Sequence, residues 1–117
     1  MKIVEPKVYL IASTQIEGVV ILEEMLREIG GVVAEKWLDT KVETLLNGEL
    51  LTEIAGRVCY KSFGVGLNPN ITKIRADSEE YIENTLKKGD GSIFEHASCT
   101  FAFVNVSRVF THELVRH

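Results

Sequence analysis

Apolar residues along this chain follow two alternating spacings, and the switches between them outline the elements. Lys7 to Ser13 (KVYLIAS) is β-branched and apolar, which predicts a strand. From Glu17 to Ile29 the spacing turns helical, with Val20, Ile21 and Met25 set among Glu24 and Glu28. Gly30-Gly31 then reads as the stop of that helix. A second helical stretch covers residues 40–60. Leu45, Leu46, Leu50, Ile54 and Val58 could share one stripe with Ala55, although Asn47-Gly48 offers a point at which it could split. Residues 63–72 (FGVGLNPNIT) hold two glycines, two asparagines and a proline, the composition of a loop.

Asp77 or Ser78 is placed to cap a third helix with Glu79 and Glu80 in its first turn. Lys87, Lys88 and Gly89 suit its C-terminus, where cations and a left-handed glycine are both favourable. Asp90-Gly91-Ser92 reads as a turn. Residues 97–106 then form a strand with Cys99, Phe101 and Phe103 on one face and Ala102, Val104 and Val106 on the other. Two apolar faces predict cover on both sides. Ser107 is the expected N-cap of a last, short helix. No repeat or linker breaks the pattern, so a single domain over residues 1–117 is expected, of α/β (α+β) class with a central sheet flanked by helices.

With 117 residues, 45% of them hydrophobic, the chain can build one core of its own. A net charge of −4 gives no bulk attraction to nucleic acid or anionic membranes, but leaves room for a local phosphate contact. No apolar run approaches the roughly 18 residues that suggest a membrane span. The charged Met1–Pro6 stretch leads directly into a strand, so no secretory signal is expected. Cys59 and Cys99 fit no metal or redox spacing, and are expected as two buried thiols of a cytoplasmic protein.

All three histidines lie between His96 and His117, and the last helix places His112, Glu113, Arg116 and His117 together. Glu113, Arg116 and His117 fall within a sector of about 100° on a helix, with Val109 and Phe110 in or near it one turn earlier. One reading is a helix with a packed first turn and a last turn opening into a pocket. There the planar fork of Arg116 could hold a phosphate or an imide-type ring. The same pattern also fits a surface pair, Glu113–Arg116 or Glu113–His117, worth roughly a few tenths of a kcal/mol. A zinc helix needs histidines four apart. His112 and His117 are five apart, about 140° round the helix, so no metal site is expected. His96 reads either as an acid–base group or as a structural residue. Gly89-Asp90-Gly91-Ser92 could offer amides to a phosphate but lacks dinucleotide and P-loop spacing, and it fits a plain turn as well.

Taken together, the segments Gly89-Asp90-Gly91-Ser92-Ile93-Phe94-Glu95-His96, Phe101-Ala102-Phe103, Ser107-Arg108 and Thr111-His112-Glu113-Leu114-Val115-Arg116-His117 resemble the flavin-dependent thymidylate synthases. Ala55-Gly56-Arg57-Val58-Cys59-Tyr60 is similar to that family's Ala-x-Arg helix end, and residues 16–50 match poorly. The resemblance implies methylation of dUMP to dTMP, with methylenetetrahydrofolate as carbon donor and NADPH as reductant through FAD. It implies that Ser92, Arg116 and His117 contact FAD, and that Glu113, Leu114, Val115 and Arg116 contact dUMP. It also implies a homotetramer with shared sites. Asp90 departs from the histidine found in many members. The family's Arg-His-Arg signature starts at Arg116-His117, so its remainder and the catalytic residues are expected beyond His117. The 117 residues alone are therefore expected to be inactive. A different class of function, a non-catalytic nucleotide- or flavin-binding or oligomerisation module derived from the same fold, stays open on the sequence.

Overall fold

The computed structural model describes residues 3–63 and 73–116. Its elements run in the order β1 (Lys7–Ser13), α1 (Val19–Asp39), α2 (Asn47–Tyr60), α3 (Ser78–Lys88), a 3-10 helix (Gly91–His96), β2 (Cys99–Val104) and α4 (Arg108–Leu114). They form two compact units, one of residues 14–98 and one made of the two chain ends, 1–13 and 99–117. Both strands lie in the smaller unit with α4, and the other helices lie in the larger one, an α+β arrangement.

The larger unit is helical. In α1, Leu26, Gly30, Ala34 and Leu38 are buried at a spacing of four. The expected stop at Gly30-Gly31 is instead a kink: Gly31 takes φ 64°, and helix resumes to Asp39. Packing explains why the helix resumes. Gly30 lies so close to Phe63 that an added Cβ would stand 3.3 Å from its ring, and Ala34 and Leu38 continue into the same core. Leu50, Ile54 and Phe63 complete that core, and Trp37 meets Phe63 edge-on at 5.3 Å.

The stretch 40–60 is not one helix. Residues 40–45 make turns, Leu46 is extended, and its N–H donates to the Glu49 carboxylate at 3.1 Å, which starts α2 at Asn47. Asn47-Gly48 therefore opens a helix rather than splitting one. Local capping overrides an apolar spacing that allowed both. Lys61, left-handed at φ 49°, ends α2. Phe63, the first residue of the expected loop, is buried, and residues 64–72 lie outside the described residues.

The third helix matches its sequence signals. The Asp77 side chain accepts from the Glu80 N–H at 2.8 Å, and Gly89 closes the helix at φ 75°. The turn expected at Asp90-Gly91-Ser92 tightens into the 3-10 helix, whose Ile93 is buried. At the edge of this unit the Thr14 hydroxyl accepts from the Ser98 N–H at 2.8 Å.

In the smaller unit β1 and β2 pair antiparallel, Lys7 opposite Val104 and Leu10 opposite Phe101, with a register shift between Leu10 and Ala12. Ile11 is the extra residue of that bulge. Ser107 caps α4 by accepting from the Phe110 N–H at 3.1 Å, as its sequence position indicates. Phe110 stands 5.4 Å from Phe103, so α4 packs on the face that carries Phe101 and Phe103.

Two expectations fail here. The second strand is shorter than 97–106 and is not covered on both faces: Phe101, Val104 and all of β1 from Val8 to Ile11 are exposed. Among the described residues the sheet has two strands, and within this unit one short helix lies against it. Cys59 and Cys99 are exposed free thiols, not buried ones, because each sits at the outer end of its element. Among the described residues no helix is long and apolar enough to cross a membrane.

Candidate functional site

Ser92 sits on the 3-10 helix with Gly91 before it and Ile93 after it. Its own side chain faces solvent, and Ile93 is driven inward. Space around Gly91 is open: an added Cβ would meet nothing within 4 Å. The Gly91 N–H donates to the Gly89 carbonyl at 2.9 Å, so the accessible donor here is the Ser92 hydroxyl, which suits a ligand rich in acceptors.

Asp90, next to this turn, is half-buried and engaged. Its carboxylate hydrogen-bonds the Tyr60 phenol at the end of α2. That bond, and burial after it, hold the Tyr60 pKa above the ordinary 10.0. The charge at the departed position therefore has a partner in the fold.

The other candidates lie in the smaller unit. Glu113 and Leu114 end α4, Val115 is its C-cap and Arg116 follows, and all four side chains are exposed. Arg116 Nη1 stands 4.0 Å from Glu113 Oε1, with side chains 68% and 59% exposed. This is the surface-pair geometry. An ion pair so exposed contributes little, so a ligand could claim the Arg116 fork at small cost. The expected packed first turn is only partly realised, because Phe110 meets Phe103 while Val109 remains 72% exposed. His117 lies outside the described residues. His96 ends the 3-10 helix and His112 lies on α4, and both are exposed.

A feature that the residue pattern did not single out is the burial of Arg57. Its guanidinium donates to Glu53 Oε1 from Nε at 2.9 Å and from Nη2 at 2.6 Å, with both side chains at most 1% exposed. Nη1 donates to the Ser62 carbonyl at 3.2 Å and Nη2 to the Arg75 carbonyl at 2.5 Å. The group also lies 5.0 Å from the Trp37 ring centroid and 4.4 Å from that of Tyr81. Such a fork is engaged inside the fold and is not offered to a ligand. An i,i+4 Glu–Arg pair on a helix face that also carries Leu50 and Ile54 was the available signal.

Tyr81 leans over α2. A Cβ placed on Gly56 would stand 2.4 Å from the Tyr81 hydroxyl and 3.1 Å from Ile93 Cδ1, so this glycine makes room for both. Burial pushes the Tyr81 phenol above 10.0, and the Arg57 guanidinium offsets part of that rise. Among the described residues, Glu53 Oε2, Ser62 Oγ and the Tyr81 hydroxyl are buried without a partner at hydrogen-bond distance, although Ser62 is near enough to influence the phenol.

Residues 41–117 match the model of a family described as thymidylate synthase complementing protein. The chain is 43% identical over 70 residues to the flavin-dependent thymidylate synthase of Mycobacteroides abscessus, a match covering 60% of this chain and 26% of that protein. It is 37% identical over 115 residues to a probable flavin-dependent thymidylate synthase of Mycobacterium phage L5, covering 95% of this chain and 42% of the relative. The enzyme of Mycobacterium avium is 41% identical over 70 residues, covering 60% and 26%. The chain thus spans less than half the length of these relatives.

Proposed function

Because this chain belongs to the thymidylate synthase complementing protein family, we propose that it is part of a flavin-dependent thymidylate synthase, methylating dUMP to dTMP. The observation that carries this reading is the family match over 41–117, which takes in both segments with exposed candidate ligand groups. In this reading the carbon comes from methylenetetrahydrofolate and the electrons from NADPH. FAD, when bound, supplies the redox step between them.

The chain's own residues would bind and orient. Ser92 contacts FAD through its exposed hydroxyl. Arg116, with His117 after it, contributes to the flavin site, and the Arg116 fork also faces dUMP together with Glu113, Leu114 and Val115. The donor chemistry fits these ligands: an accessible hydroxyl beside an open glycine on one unit, and on the other an exposed guanidinium whose ion pair with Glu113 is long. The Glu113 carboxylate can accept from an imide N–H while Arg116 donates to an adjacent oxygen. Neither group removes a proton from the reacting carbon in this proposal. In this reading subunits assemble as a homotetramer and complete one another's sites in the cytoplasm.

Thermal shift with dUMP and FAD, added separately, tests the assignment. A ligand of the native state stabilises it by about 2.7 kcal/mol at a hundred times its Kd. Ser92→Ala is expected to remove the FAD shift and spare that of dUMP, whereas Arg116→Ala weakens both. No shift with either ligand in a chain of the relatives' full length would overturn the assignment. The 117 residues alone are expected to form no dTMP, because they span less than half the length of the relatives they match. Measured turnover would refute that expectation.

A further inference from the structure

We propose that Arg57 and Tyr81 are positioning residues for Ser92, acting through Ile93. The proposal rests on the reading of Ser92 as a ligand contact, but its mechanical part stands on geometry alone. The Arg57 guanidinium, held by Glu53 and by the carbonyls of Ser62 and Arg75, lies 4.4 Å from the centroid of the Tyr81 ring. A cation over an aromatic face is attracted more strongly when both are withdrawn from water. Arg57 is 1% and Tyr81 7% exposed.

The held ring has little freedom. Its hydroxyl and Ile93 Cδ1 converge on the space above Gly56, at 2.4 Å and 3.1 Å from where a Cβ would stand. Ile93 is 3% exposed and is the buried residue of the 3-10 helix that presents Ser92. Ile93 is the one fully buried side chain of this six-residue turn, with Phe94 half-buried beside it, and so is its deepest anchor. A shift of the Tyr81 ring would open the space above Gly56 that it shares with Ile93 Cδ1, so that Ile93, and Ser92 beside it, would move into it. Close packing transmits such shifts because no void is there to absorb them. On this account the arginine of the Ala-Gly-Arg segment serves the ligand site without touching a ligand.

The test uses two independent readouts. The first is the backbone amide resonances of Ser92 and Ile93 in the 117-residue chain without ligand, and the second is the FAD affinity of a chain of the relatives' full length. Arg57→Lys keeps a positive charge near Glu53 but loses the fork and most of the stacking. It is expected to shift both resonances and to weaken FAD binding about tenfold. Ile93→Val trims the anchoring contact at Cδ1 and is expected to move the same resonances, also when Arg57→Lys fails to fold. Tyr81→Leu removes the ring that Arg57 holds and is expected to move the same resonances and to weaken FAD binding; unmoved resonances in the folded variant would overturn the role given to Tyr81.

Unmoved Ser92 and Ile93 resonances in folded Arg57→Lys, or in Ile93→Val, would overturn the mechanical link. Moved resonances with unchanged FAD affinity would overturn the positioning role. Absence of FAD binding by a chain of the relatives' full length would instead sink the reading of Ser92 as a flavin contact, while the resonances still decide the link.

Discussion

Replacing Gly56 by alanine sets two effects of opposite sign against each other on one atom. In a helix interior alanine is favoured over glycine by about 1 kcal/mol. The new Cβ would stand 2.4 Å from the Tyr81 hydroxyl, at least about half an ångström inside any ordinary contact. That hydroxyl cannot simply retreat, because its ring is buried against the Arg57 guanidinium. Overpacking of this kind costs about 1–3 kcal/mol, so Gly56→Ala is expected to destabilise by up to roughly 2 kcal/mol net. Tyr81→Phe removes the clashing oxygen. The nearest remaining atoms are then Ile93 Cδ1 at 3.1 Å and the ring Cζ at 3.3 Å, which need to yield by only a few tenths of an ångström.

In the Tyr81→Phe background the same substitution should therefore be neutral or stabilising by up to about 1 kcal/mol. Tyr81→Phe alone should cost little, since the hydroxyl it deletes is buried without a partner. Urea unfolding of the four proteins, followed by the fluorescence of the single tryptophan, Trp37, reads the unit concerned. Equal losses from Gly56→Ala in both backgrounds, with a coupling under about 0.5 kcal/mol, would refute the reasoning.

Arg57→Met is expected to cost about 3–5 kcal/mol in the same assay, because it leaves the Glu53 carboxylate buried and uncompensated; pairing it with Glu53→Leu should recover much of the loss. Asp77→Ala removes the acceptor for the Glu80 N–H and is expected to cost about 1 kcal/mol; no change would mean that the cap is dispensable. Asp90→Asn is expected to bring the Tyr60 phenol down toward 10.0, as read from ultraviolet phenolate absorbance, and an unmoved titration would exclude the hydrogen bond as its cause. Tyr60 and Tyr81 are both raised, so above about pH 10 the unfolded chain loses these protons first and binds fewer than the native one. Stability should fall as pH rises from there through the native values, and Tyr81→Phe should reduce the slope.

Much of this protein is local, and what is local is written in the sequence. The first strand, the Asp77 cap, the left-handed Gly89 and the Ser107 cap depend on a few neighbouring residues, and each appears where its signal stands. The family was legible for the same reason, since its segments are contiguous. Tertiary packing decided what local signals left open or got wrong. Gly30-Gly31 reads as a stop, yet helix resumes because Gly30 admits Phe63 and the residues after the kink have a core to enter. The 40–60 stretch carries apolar residues at helical spacing along its length, and the Glu49 carboxylate chose where its helix begins. Two apolar faces on the second strand promised cover that a two-stranded sheet and one short helix do not supply within their unit. The Ala-Gly-Arg segment was visible as letters. That its arginine turns inward, and that its glycine leaves room for Tyr81 and Ile93, depends on residues far apart in the chain meeting in one place.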